Sequence, residues 1–216
     1  LRLVHISDVH YHPLQPSCND VQKGTPYPCD YRNTTRFLRS VLDIENPDLV
    51  VFTGDVIDGS SVMPRVAMDE IYGVAHPRPW AASLGNHDEE NYLTREEVAE
   101  HILHSRGTLS TTHGNHSGPA PLSFYVDIKA APHGNYSATA TAAPVARLYF
   151  FDSRIDHTTQ MITDAQLEWF AQTQTLLPSV PTLAFYHIPL RQYKDAVDAK
   201  VPMVGQLREP ICNDRP

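Results

Sequence analysis

Asp8-Val9-His10, Gly54-Asp55, Gly85-Asn86-His87-Asp88 and Tyr186-His187-Ile188-Pro189 are short polar clusters, each following an apolar run. They pool carboxylate, imidazole and amide groups, the oxygen and nitrogen donors that suit hard and borderline divalent or trivalent ions. The clusters lie far apart in the chain, so only a fold that gathers them makes one metal site. Taken singly, an Asp at a strand end is most often a turn or cap residue, and a lone His is most often a packed one. The whole series outweighs that reading. Tyr11, His12 and Asp58 lie close by and read as loop or solvent residues. His5 reads as a strand residue, and His101, His104, His113 and His116 read as surface or packing residues.

The elements that must position these groups follow from the runs before them. Residues 1–6, 48–53 and 182–186 are short, nearly continuous apolar stretches rich in β-branched and aromatic residues, as buried strands are, and residues 79–84 are a weaker fourth. Helical patterns alternate with them. Arg36 to Glu45 carries Phe37, Leu38, Val41 and Leu42 on one face, with Thr34 or Thr35 as cap and a stop before Asn46-Pro47. Thr94 with Glu97, and Thr163 with Gln166, are capping-box pairs. The first opens a helix with Val98, Ala99, Ile102 and Leu103 on its apolar side, the second one with Leu167, Phe170 and Leu177 that halts at Pro178. A βαβα order over roughly the first ninety residues predicts a mostly parallel sheet, with the strands ending at Asp8, Asp55, Asn86 and His187 adjacent in parallel order and ligands collecting beyond their carboxyl ends. Ser123 to Ala130 and Arg147 to Ser153 then read as strands without an intervening helix, joined by a surface hairpin loop from Ala131 to Ala146.

Length and composition set the outer bounds. A chain of 216 residues supports one α/β domain with a real core, and nothing between the clusters reads as a linker. The net charge of −8 argues against a nucleic-acid partner, and no apolar segment is long enough to span a bilayer. Asn33, Asn115 and Asn135 begin N-glycosylation sequons in predicted loops or helix starts. Cys18 and Cys29 flank a turn-rich segment where a disulfide would staple a loop beside the first cluster. Both signals point to a secretory route, secreted or vacuolar/lysosomal, and leave Cys212 over.

The ordered set Asp8-x-His10, Gly54-Asp55, Gly85-Asn86-His87-Asp88 and His187 resembles the calcineurin-like metallophosphoesterases across nearly the whole chain. The text from Cys18 to Thr35, from Asn46 to Asp55 and from Phe185 to Leu190 is similar to the small purple-acid-phosphatase-like branch of plants, fungi and protists. The resemblance implies a four-layer α/β/β/α sandwich of two mixed sheets. It also implies two divalent or mixed-valence ions drawn from Fe, Zn or Mn. Asp8 and His10 would bind the first, Asp55 would bridge, and Asn86 and His187 would bind the second. His87 would face a phosphate-ester substrate as proton donor, with Asp88 orienting its ring. Two ions about 3.5–4 Å apart clamp a phosphoryl oxygen and hold an attacking hydroxide. The leading reaction that the resemblance implies is phosphomonoester hydrolysis.

The chain departs from the family pattern in two places. Asp58 stands where the purple enzymes carry their coloured Tyr. No histidine follows His187, although the family supplies a Gly-His-x-His there, so a missing C-terminal part is expected. The 216 residues alone are therefore expected to bind metal weakly and to turn over poorly. Two other readings stand beside the phosphatase: a phosphodiesterase resembling acid sphingomyelinase, and a binding glycoprotein that keeps the fold but not the second metal.

Overall fold

The computed structural model describes residues 1–18, 24, 29–112, 117–130, 136–137, 142–153 and 162–200. Asn115, Asn135, Cys212, His113 and His116 lie outside them, as does most of the expected loop of residues 131–146.

The chain runs β1 (Leu3–Ile6), α1 (Tyr31–Glu45), β2 (Leu49–Thr53), α2 (Pro64–Tyr72), β3 (Trp80–Ser83), α3 (Arg95–His104), β4 (Phe124–Ala130), β5 (Tyr136–Ser137), β6 (Pro144–Phe150), α4 (Asp164–Leu176), β7 (Thr182–Phe185) and α5 (Arg191–Asp198). One sheet has the order β1-β2-β3 and the other β5-β4-β6-β7. The first is wholly parallel, with Val4 opposite Val50 and Val51 opposite Ala81, as its βαβα order requires. The weak fourth run proves to be a fully buried strand, β3. In the second sheet β4 and β6 form an antiparallel ladder, while β6 and β7 are parallel because α4 carries the chain back across the sheet.

That last pairing corrects one expectation. The strand leading to His187 does not extend the parallel order of the first three; it belongs to the second sheet. The two sheets face each other, and one core runs between and around them, joining Ile6, Val51 and Phe52 to Phe124, Val126, Leu148 and Phe150. Period-two alternation then sends Tyr125, Tyr149 and Phe151 to the opposite face, where Trp169 and Phe170 of α4 cover them. Helices α1, α2 and α3 pack Leu42, Met68, Ile71 and Ile102 against the first sheet, completing helix, sheet, sheet and helix layers.

Local signals explain most boundaries. Thr94 with Glu97 and Thr163 with Gln166 form their capping boxes. Helix α1 starts a turn earlier than Thr34 or Thr35 would place it. Asp30 accepts the N–H of Arg32 and forms a capping box with Asn33, and a carboxylate there suits the positive helix end better than a hydroxyl. Strand β6 begins at Pro144 rather than Arg147. Leu167, expected on the buried face of α4, is 49% exposed. Cys18 and Cys29 are joined, with their Cα atoms 5.3 Å apart.

Candidate metal centre

The centre is built where β1, β2 and β3 end. Asp8, His10 and Asp55 all take left-handed backbone conformations, with φ of 56°, 44° and 50°. Such angles cost a non-glycine residue energy, least for Asp and Asn, and they turn the chain sharply so that side chains at strand ends swing into the crevice. Gly54 also lies in this region, at φ 85°. A Cβ on Gly54 would come within 2.3 Å of the Gly85 nitrogen, and one on Gly85 within 2.1 Å of the Asp55 carboxylate. The β2 and β3 loops cross at these glycines, which is why each precedes its candidate ligand.

Among the described residues, one group of metal-competent side chains converges: ligand atoms of Asp8, Asp55 and His187 lie within 4.8 Å of one another. His10 Nε2 is 3.5 Å from Asp55 Oδ2, and Asn86 Oδ1 is 3.2 Å from His187 Nε2. The other four expected ligands thus gather about the buried Asp55 carboxylate, although His187 arrives from the other sheet. His187 Nδ1 is 2.8 Å from the Thr53 carbonyl, which only accepts, so Nδ1 carries a proton. In the neutral ring Nε2 then has none, yet it faces Asp55 Oδ2 and Asn86 Oδ1 at 3.2 Å each. Acceptors so opposed need a cation between them, either a proton or a metal. The donor set therefore fits an ion of the oxygen- and nitrogen-preferring kind.

The electrostatics say the same. Burial pushes His187 down, but the hydrogen bond and charge of Asp55 outweigh it and leave the ring above its ordinary range. Burial pushes Asp55 up, and His187 and His87 outweigh that and hold its carboxyl low.

Asp88 has a different role from the one expected. Its buried carboxylate accepts the N–H groups of Gly85 at 2.8 Å, Val56 at 2.9 Å, Ile57 at 3.0 Å and Asp55 at 3.1 Å. With both oxygens committed to backbone, Asp88 braces the loop crossing. The carboxylate on His87 is Glu90, whose Oε2 lies 2.5 Å from Nδ1. The spacing of three residues from His87 was the only signal for it. Arg95 was also unforeseen: buried, it donates to Asp152 through Nε at 2.9 Å and to the Gly85 carbonyl through Nη1 at 2.9 Å. It ties the second sheet to the loop crossing. Tyr11 and Asp58 turn to Glu70 and Ser60, and His12 to the Pro13 carbonyl.

The family profile of calcineurin-like phosphoesterases matches residues 1–202. The chain belongs to that family. Among curated members, a protein of Arabidopsis thaliana named "Probable inactive purple acid phosphatase 28" is 31% identical over 98% of this chain and 58% of its own length. A second, "Probable inactive purple acid phosphatase 29", is 30% identical over 89% of this chain and 55% of its own. "Phosphatase DCR2" of Saccharomyces cerevisiae is 30% identical over 97% of this chain and 39% of its own. The chain thus spans little more than half the length of the plant relatives. The crystal structure of a dimetal phosphatase from Danio rerio shares the fold, with TM-score 0.57 over 88% of this chain and 70% of that one at 18% identity.

Proposed function

We propose that residues 1–216 belong to a single phosphoesterase domain, and that the whole protein holds two metal ions there and hydrolyses phosphomonoesters. The observation carrying this is His187 Nε2, set against two oxygen acceptors while Thr53 occupies its other nitrogen. Asp8 and His10 would hold one ion, Asn86 and His187 the other, and Asp55 both. Fe, Zn or Mn suits these donors. Bound there, the pair supplies positive charge to the phosphoryl oxygens and acidifies water.

The remaining work falls to side chains of this chain. His87 Nε2 stands 4.0 Å from Asp55 Oδ2 with its ring 40% exposed, at the edge of the cluster rather than within it. It is placed to give a proton to the leaving oxygen as the P–O bond breaks, so that an alcohol departs. A cleft of 520 Å³ lined by Asp8, His10, Tyr11, His12, Tyr31 and Asp58 adjoins the cluster and would take the leaving group. The Cys18–Cys29 bond and the Asn33 sequon support a secreted or vacuolar setting. In α1 the Asn33 Oδ1 is used in the capping box, which leaves Nδ2 for a glycan.

The test is metal content by mass spectrometry alongside aryl phosphate turnover. Asp55→Asn should remove metal and turnover together, whereas His87→Ala should slow turnover about 100-fold and keep the metal. Loss of metal from His87→Ala would overturn this division of roles. A second reading, a binding glycoprotein, draws on the plant relatives named inactive. Metal binding without turnover in the unaltered protein would favour it.

A further inference from the structure

We infer that Glu90 is the positioning residue of His87. This rests on His87 as the proton donor proposed above. Three observations carry it. Glu90 Oε2 is 2.5 Å from His87 Nδ1, within a turn closed by the Glu90 N–H donating to the His87 carbonyl at 3.2 Å. A carboxylate only accepts, so Nδ1 bears a proton and the ring is held with Nε2 on the side of Asp55. Glu90, 41% exposed, has Gly59 close on one side: a Cβ on Gly59 would come within 2.7 Å of its Oε2 and 2.9 Å of its Cβ. The glycine leaves the space that the glutamate stem fills.

The other carboxylates near the ring are otherwise engaged. Asp88 is spent on backbone N–H groups, Asp58 accepts the N–H and hydroxyl of Ser60, and Asp55 faces Nε2 rather than Nδ1. The neighbouring ring of His10 meets His87 edge-on with centroids 5.2 Å apart, which limits rotation from the other side. Glu90 therefore sets which nitrogen of His87 addresses the substrate. In the reaction the doubly protonated ring gives its Nε2 proton to the leaving oxygen as the bond from that oxygen to phosphorus breaks and the oxygen of a water molecule bonds to phosphorus; one proton of the water stays on the phosphate and the other returns to Nε2. The Nδ1 proton stays on the ring throughout, held by Glu90.

Such a role makes Glu90 matter most where protonation matters most. Aryl phosphates with acidic leaving groups depart without help, whereas alkyl phosphates need the proton. The test compares p-nitrophenyl phosphate with an alkyl phosphate in unaltered protein, Glu90→Gln and Gly59→Ala, with metal content measured in each. Both substitutions should lower alkyl turnover about tenfold more than aryl turnover at unchanged metal content, and Glu90→Asp should recover part of the loss. An equal loss on both substrates would overturn the proposal. Long-range proton–nitrogen NMR of the His87 ring supplies a readout independent of turnover. Nδ1 should carry the proton in unaltered protein, and that assignment should shift in Glu90→Gln. An unchanged ring signal overturns the positioning role, whereas a changed signal in a chain without turnover upholds it and removes only the phosphatase reading.

Discussion

The first sheet is short, wholly parallel and buried along nearly all of β2 and β3, whereas the second is longer, largely antiparallel, and ends in β7 with Leu183 57% exposed. The first supplies Asp8, His10, Asp55, Asn86 and His87 from loops locked by a glycine crossing. The second supplies His187 from a loosely covered strand. Yet His187 is placed no less firmly, because the Thr53 carbonyl of β2 receives its Nδ1–H. A candidate ligand can thus be delivered by one layer and aligned by another, and accuracy resides in the layer that aligns.

The contrast can be broken most severely at the crossing. Gly85→Ala forces a methyl into the Asp55 carboxylate and backbone and should cost about 4 kcal/mol or more in urea unfolding, with metal binding lost. Next comes the tie between sheets. Arg95→Met removes the guanidinium from the buried Asp152 carboxylate and should cost about 3–5 kcal/mol by the same measurement. Within the second sheet, Leu148→Ala should cost about 3 kcal/mol and Leu183→Ala less than about 0.5 kcal/mol. Equal costs would mean that β7 is as well packed as β6.

The smallest effect is one of sign. In chelator-treated protein the raised His187 contributes stability below its ordinary value of 6.5, lost as pH rises through its folded value. The lowered Asp55 contributes above its ordinary 3.8, lost as pH falls through its folded value. Stability should therefore be greatest near pH 4–6.5 and decline above it. With metal present the ion replaces the proton, and stability should rise through the same upper range. A metal-loaded protein with an unchanged slope would place the ion elsewhere.

Much of this was legible in the chain. The capping pairs at Thr94 and Thr163, the buried strand runs and the glycine before Asp55 each carry a local physical cause that a sequence displays. What escaped depends on contacts between distant segments. Asp88 could not be distinguished from a ring-orienting residue, because its partners are backbone N–H groups, which have no letter of their own. Thr53 acts through its carbonyl and was invisible for the same reason. The sheet that takes β7 is decided by pairing, and an apolar run such as residues 182–185 suits either one.

The left-handed angles at Asp8 and Asp55 carry a further meaning for mutational space. If every residue were sampled at both positions, two sieves would act in series. The backbone would pass glycine, asparagine and aspartate ahead of the rest, since other side chains pay about 1–2 kcal/mol there. Chemistry would then choose among those survivors. Asparagine passes the first sieve and loses only the charge, so it isolates ligand chemistry at these positions, whereas alanine mixes that loss with a change in folding. Replacement by other residues at Asp8 and Asp55 is restricted by the shape of the chain before any selection on the chemistry of these side chains begins.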